Sequence, residues 1–199
     1  MNEVLGIRFE RALAYAHTVH AAQRRKGSDT PYVAHLLAVA GLVIEDGAAV
    51  GQLSEDEVIA ALLHDAPEDQ GGEERLADIR DRFGDRVAEI VAACSDTFET
   101  PKPPWRERKQ AYLDHLSAET DVGVLRVSLA DKVHNAHAVL ADYRQLGDDL
   151  WRRFNRDADT PWYYRELVAI FSEQMPGPLT GELTRTVDAL DAAIAESRA

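Results

Sequence analysis

Apolar residues recur at three- to four-residue intervals along almost the whole 199-residue chain, and no two alternating stretches flank a turn as a hairpin requires. That periodicity gives an all-α fold class. Leu5, Phe9, Leu13, Ala16 and His20 form one stripe of a helix over Glu3 to Gln23. The segment Arg24 to Pro31, which carries Gly27, Ser28 and Asp29, interrupts it, and a second helix starts at Tyr32 and stops before Asp46-Gly47. Ser54 with Glu57 three residues on has the form of a capping box, opening a third helix that ends near Ala66, ahead of Pro67. Gly84 separates helices over 73–83 and 85–97, and Pro101, Pro103 and Pro104 mark a loop before a helix from Trp105 to Leu116. Asp121 caps a long helix to Tyr143, although Val122 to Leu129 is the most strand-like run in the chain. Further helices begin at Thr160-Pro161 and at Thr180, the last reaching Ser197. With no internal repeat or low-complexity tract, residues 1–199 read as a single domain.

Charge narrows the partners. Acidic residues number 35 against 22 basic ones, a formal net charge of -13. That argues against general nucleic-acid binding, where lysine and arginine neutralise phosphates. One cysteine, Cys94, cannot form an internal disulfide, as suits a reduced compartment. No apolar run approaches the roughly 20 residues of a membrane span, and Met1-Asn2-Glu3 has none of the features of a secretory signal. The expected setting is cytoplasmic, with no membrane and no nucleic acid as partner. Any polyphosphate ligand would need local positive charge to offset the overall field.

Of the seven histidines, His64 is the most informative, because it opens His64-Asp65-Ala66-Pro67-Glu68-Asp69 at the end of the apolar run Ile59 to Leu63. Four ionisable groups there are costly to desolvate unless they pair or bind a metal. A solvated helix end, with Asp65 or Glu68 meeting a surface arginine, is the plainer reading. His35, early in the second helix, reads by itself as a hydrogen-bonded core histidine. Asp131 sits in the apolar interior of the long helix, where Lys132 or Arg126 is its plainer partner, and Asn135 shares its face one turn on. Taken together, His35, His64, Asp65 and Asp131 supply two imidazoles and two carboxylates from three helices. That mixed nitrogen and oxygen set suits an octahedral first-row divalent ion such as Mn²⁺ or Fe²⁺ better than closed structural zinc. Such an ion lowers the pKa of a bound water and polarises a phosphoryl oxygen, leaving Glu68 or Asp69 to orient the water or move its proton.

These residues also carry a resemblance. His35, the His64-Asp65 pair and Asp131 match the four ligand positions of the HD metal-dependent phosphohydrolases. The match is closer to the hydrolase domain of RelA/SpoT proteins: Arg24-Arg25-Lys26 ahead of Pro31-Tyr32-x-x-His35, then Leu63-His64-Asp65-x-x-Glu68-Asp69, then Leu129-Ala130-Asp131-Lys132-x-x-Asn135. The length is similar to that of the standalone small alarmone hydrolases, without a synthetase region. The resemblance, over about residues 8 to 165, implies an HD-type helical bundle of about eight to ten helices. It implies hydrolysis of the 3′-pyrophosphate of guanosine tetra- and pentaphosphate to pyrophosphate and GDP or GTP, with Mn²⁺ as cofactor and Fe²⁺, Co²⁺ or Zn²⁺ as alternatives. By position, it makes His35, His64, Asp65 and Asp131 the metal ligands and Glu68 and Asp69 the catalytic pair. Arg24, Arg25, Lys26, Asn135 and Lys109 become the substrate contacts, since guanidinium groups stack on bases and bind phosphate.

Some positions depart from the pattern. Leu36 follows His35 where the family commonly has proline, and the loop between Arg25 and Pro31 varies in length among members, so guanine against adenine stays open. An adenine-based alarmone, NADPH or another nucleotide is the alternative substrate, and a nucleotide-sensing module without catalysis is the reading from another class. Arg108 and Lys109 resemble a basic stretch facing phosphates, or form a plain helix face. Tyr163 and Tyr164 either wall the pocket or lie in the core. His134 and His137 receive no role. The last helix, with Leu183, Val187, Leu190 and Ile194 at helical spacing, either packs on the domain or forms a homodimer surface.

Overall fold

The computed structural model describes residues 4–97, 101–154 and 158–197, and among these the chain is helical with no strand. The order is α1 (Ile7–Val19), α2 (Val33–Ala49), α3 (Glu55–Leu63), α4 (Ala66–Asp69), α5 (Gly72–Phe83), α6 (Asp85–Cys94), α7 (Trp105–Ala118) and α8 (Val122–Leu146). A 3-10 stretch (Gly147–Arg153) follows, then α9 (Thr160–Gln174) and α10 (Pro178–Ser197). An isolated antiparallel bridge between Arg24 and Pro31 closes the loop after α1. The strand-like run at Val122 is the start of α8, because the Asp121 carboxylate accepts hydrogen bonds from Gly123 N and Val124 N and fixes the first turn.

The long helix α8 is the axis of the fold. It packs against α2, α3, α6, α9, α10 and the 3-10 stretch. Of its neighbours, α3 is apolar all round beyond its acidic first turn, with Val58 through Leu63 wholly out of water. Each such aliphatic side chain contributes roughly 1.5–3 kcal/mol through burial. The stripe Leu183, Val187, Leu190 and Ile194 of α10 is buried, and α10 lies along α8 and α9, so that face is used within the chain.

One charged side chain at the centre decides several local features. Arg126 of α8 is 1% exposed; its Nε donates to Asp46 Oδ2 at 2.9 Å and its Nη1 to Glu57. This overturns the capping-box expectation: the Glu57 carboxylate turns inward to neutralise Arg126 instead of back to the Ser54 amide, and Ser54 starts α3 without a side-chain cap. The same pairing explains why α2 runs through Asp46-Gly47 to Ala49 rather than stopping before them. Asp46 is held inside the fold, and a Cβ on Gly47 would meet Leu53 Cα at 3.1 Å, so glycine is there for close packing. The third helix ends at Leu63, earlier than the expected Ala66, and Pro67 sits in the first turn of α4. His64 and Asp65 therefore occupy the turn between two helices. The first helix is shorter than expected, Ile7 to Val19, and Glu3 lies outside the described residues; the sixth stops at Cys94.

Replacing Arg126 with methionine leaves Glu57 and Asp46 buried without a counter-charge. The expected loss is about 3–5 kcal/mol at neutral pH, as measured by urea unfolding. Asp121 is a second, weaker anchor. Arg86 and the α8 amides lower its carboxyl to about 2. A folded pKa below the unfolded one means that its contribution is present above roughly pH 4 and is lost as pH falls toward 2. Asp121→Ala is expected to lower stability by about 1 kcal/mol at pH 7, with the gap from the parent protein closing in acid, as read by thermal melts.

Candidate metal centre and active site

Three helices bring four groups together where α2, the α3–α4 turn and α8 meet. His35 Nε2 lies 3.3 Å from Asp65 Oδ2 and 3.2 Å from Asp131 Oδ1, and His64 Nε2 lies 3.1 Å and 3.5 Å from the same two oxygens. His35, His64 and Asp131 are buried, at 1%, 3% and 6% exposure. Each of these three offers a donor atom within 4.8 Å of the others, a spacing that suits one metal ion.

The donor set fits a divalent cation on a direct observation. His64 Nδ1 lies 2.8 Å from Ala61 O, which can only accept, so Nδ1 carries the proton and Nε2 the lone pair. That Nε2 is buried with no hydrogen-bond partner. A lone pair aimed at two carboxylates is unfavourable until a cation or a proton stands between them. Accordingly, although burial opposes it, Asp65 draws the His64 pKa well above its usual value. Burial also opposes ionisation of the two acids, but His64 and His35 hold Asp65 well below the carboxylate range, and Lys132 with the same two rings does so for Asp131. Proton and metal therefore compete for one site.

Neighbouring groups fix each member of the cluster. Tyr32 Oη donates to Asp65 Oδ2 at 2.6 Å, and Tyr32 itself stacks on His20. Asp131 accepts from Lys132 Nζ at 2.7 Å and from Asn135 Nδ2 at 2.6 Å, while Arg25 Nη2 donates to Asn135 Oδ1 at 2.9 Å. His35 Nδ1 stands 2.8 Å from His134 Nδ1. Of the two plainer partners considered for Asp131, Lys132 takes it and Arg126 does not.

Glu68 and Asp69 follow on α4. Glu68 accepts from Lys102 Nζ at 2.8 Å and from the Asp96 amide at 3.1 Å; Asp69 accepts from Gln23 Nε2 at 2.7 Å. Burial of the carboxyl, together with Asp65 and Glu68, raises the Asp69 pKa, which suits a group that carries a proton.

A cavity of about 550 Å³ opens beside the cluster. Its wall includes His35, the cations Arg25, Lys26, Lys109, Lys132 and Arg153, and the rings of Trp105 and Phe154. Arginine and lysine on the wall of a concave, partly aromatic site form a local positive region in an acidic chain.

Comparisons with known proteins give the family and the fold. A family model described as HD domain matches residues 12–156. The chain belongs to the HD domain family. Among relatives, a Xenopus tropicalis protein named guanosine-3′,5′-bis(diphosphate) 3′-pyrophosphohydrolase MESH1 is 33% identical over 142 residues, 70% of this chain and 72% of that protein. A Haemophilus influenzae protein named guanosine-3′,5′-bis(diphosphate) 3′-pyrophosphohydrolase is 34% identical over 125 residues, 60% of this chain and 17% of that protein. The chain thus spans less than a fifth of the length of such bacterial relatives. A solved structure described as a metazoan ortholog of SpoT that hydrolyzes ppGpp superposes with a TM-score of 0.73 at 23% identity, covering 92% of this chain and 95% of that one, a likeness of fold. A Listeria monocytogenes crystal structure gives a TM-score of 0.64 at 31% identity, covering 77% and 96%.

Within this HD domain the expected substrate contacts divide. Arg25, Lys26, Asn135 and Lys109 line the cavity. Arg24 is not on its wall; its guanidinium bonds back to Ala21 O and Gln23 O. Arg108 is drawn away as well, with Nη1 on Asp96 and Nε on Pro103 O. Tyr163 and Tyr164 are at once buried and part of the wall.

Sequence reasoning missed four contributors: His134 beside His35, Gln23 beneath Asp69, Asp96 behind Glu68, and Arg153. Only His134 carried a signal, since it shares a helix with Asp131. Arg153 belongs to the 3-10 stretch, whose short irregular turn has no periodic pattern to detect, and it packs over Gly27, where a Cβ would meet its Nη1 at 2.6 Å. Asp96, with its side chain 6% exposed, holds both Arg108 and Lys109. Asp96→Asn should therefore destabilise the HD domain by about 3 kcal/mol in urea unfolding. Burial and Lys132 already lower the Lys109 pKa; the substitution should lower it further, as followed by NMR titration of its Nζ.

Proposed function

We propose that this chain hydrolyses the 3′-pyrophosphate of guanosine tetra- and pentaphosphate, releasing pyrophosphate and GDP or GTP in the cytoplasm, with Mn²⁺ as cofactor. The observation that carries the reading is the meeting of His35, His64, Asp65 and Asp131 at one end of a cation-lined cavity, with Glu68 and Asp69 alongside. The relatives' names support it: an animal protein of similar extent and longer bacterial ones carry the same activity name.

His35, His64, Asp65 and Asp131 would hold the ion. When bound, it supplies Lewis-acid polarisation of a phosphoryl oxygen and a lowered pKa for water. Glu68 or Asp69 takes a proton from the attacking water. Lys102 and the Asp96 amide keep Glu68 in place, and Gln23 keeps Asp69 in place. The water oxygen bonds to the phosphorus carried on the ribose 3′-oxygen, the bond between them breaks, and the 3′-oxygen receives a proton, so one water is consumed for each pyrophosphate released. Arg25, Lys26, Lys109, Lys132 and Arg153 offset the charge of substrate and products from the wall of the cavity.

Asp65→Ala is expected to abolish both metal binding and turnover, whereas Glu68→Ala removes turnover and leaves the metal bound. Metal analysis and pyrophosphate release from guanosine and adenosine 3′-diphosphates with Mn²⁺ check both. Absence of release from every such nucleotide, or full activity of the Asp65 variant without metal, would sink the proposal.

A further inference from the structure

The two histidines at the centre are oriented by different means. His64 Nδ1 is paired with the Ala61 carbonyl, a main-chain acceptor that no substitution removes. His35 lies in the first turn of α2, and its Nδ1 meets instead the Nδ1 of His134, at 2.8 Å. Two ring nitrogens at that distance share one proton, and which ring owns it decides what His35 Nε2 presents to Asp65 and Asp131. If His134 donates, His35 carries its proton on Nε2 and points it at the carboxylates, which blocks a cation. If His35 donates, its Nε2 lone pair faces the centre as that of His64 does.

We propose that His134 is a positioning residue: as the neutral acceptor for His35 Nδ1–H, it selects the His35 tautomer whose Nε2 lone pair faces the metal centre. This rests on the reading of His35, His64, Asp65 and Asp131 as metal ligands. The two rings lie 4.8 Å apart at their centroids and are inclined at 45°, an arrangement in which an edge-to-edge nitrogen contact replaces stacking. His134 is held by its place on α8, one turn past Asp131, so one helix both supplies a ligand and orients another on α2. Partners of this kind fix the orientation and basicity of a ligating histidine, and their loss typically weakens metal affinity by roughly 10–100-fold.

The test uses the chelator-stripped full chain and two metals. Ring ¹⁵N NMR of the Zn²⁺-loaded wild-type protein should show His35 protonated at Nδ1 and His134 protonated at Nε2 only; a proton on His134 Nδ1 would overturn the proposal without any variant. In Co²⁺ titrations followed by visible absorption, His134→Leu should bind roughly 10–100-fold more weakly than wild type, with an altered absorption band. His134→Asn, which restores an acceptor oxygen, should recover most of the affinity and the band. Wild-type affinity in the leucine variant, or failure of asparagine to rescue it, counts against the acceptor role. A wild-type protein that binds neither Co²⁺ nor Zn²⁺, or binds them equally after His64→Ala, would instead remove the underlying metal-site reading.

Discussion

The structure depends on charge buried along one helix. Within five residues of α8, roughly 7.5 Å of rise, Arg126 and then Asp131 reach across to the same two segments. Arg126 pairs with Asp46 of α2 and Glu57 of α3; Asp131 faces His35 of α2 and His64 at the end of α3. Neither charge is tolerable in an apolar interior without its partners. The two levels of contact therefore set the sliding position of α2 and α3 against α8, and that position brings the four cluster groups within contact distance. The surrounding aliphatic packing supplies the bulk of the stabilising energy but is non-directional, whereas the ion pairs are specific about which residues meet.

The net charge of -13 is compatible with an anionic substrate because charge is unevenly distributed. Several carboxylates are inside, engaged by Arg126, His35, His64 or Lys132, and so are not free surface charge. The wall of the cavity gathers Arg25, Lys26, Lys109, Lys132 and Arg153 into one concavity, where the more buried pair, Lys109 and Lys132, counts for more than it would in water. Long-range repulsion is screened within about 10 Å at ordinary ionic strength, so the local field governs a small ligand that reaches the mouth.

Motif residues were legible because helical spacing and sequence order are local properties. His64, Asp65, Glu68 and Asp69 lie within six residues, so chain proximity alone keeps them together, and Asp131 and Asn135 are one turn apart on α8, where a 3.6-residue repeat puts them on one face. The errors lie where a side chain had two suitors. Glu57 satisfied the capping-box pattern with Ser54, yet the desolvated guanidinium of Arg126 is a stronger attractor for its carboxylate than the single amide of Ser54. Asp46-Gly47 had the look of a helix stop, yet Gly47 serves as a gap for Leu53. Arg24, Arg25 and Lys26 were indistinguishable as a basic run, and only the folded loop, closed by the bridge between Arg24 and Pro31, separates the second and third, on the cavity wall, from the first.

By itself, the sequence determined an all-helical chain, the capped start of its longest helix, and an ordered set of histidines and carboxylates suited to a divalent ion. Periodicity, capping and composition act over a few residues, and each can be read without knowing what lies opposite. Tertiary structure alone decided the pairings: Arg126 with Glu57 and Asp46, Asp131 with Lys132, His35 with His134, Glu68 with Lys102. Coulombic attraction and desolvation depend on distance through space and on exclusion of water, and neither quantity exists until the helices have packed.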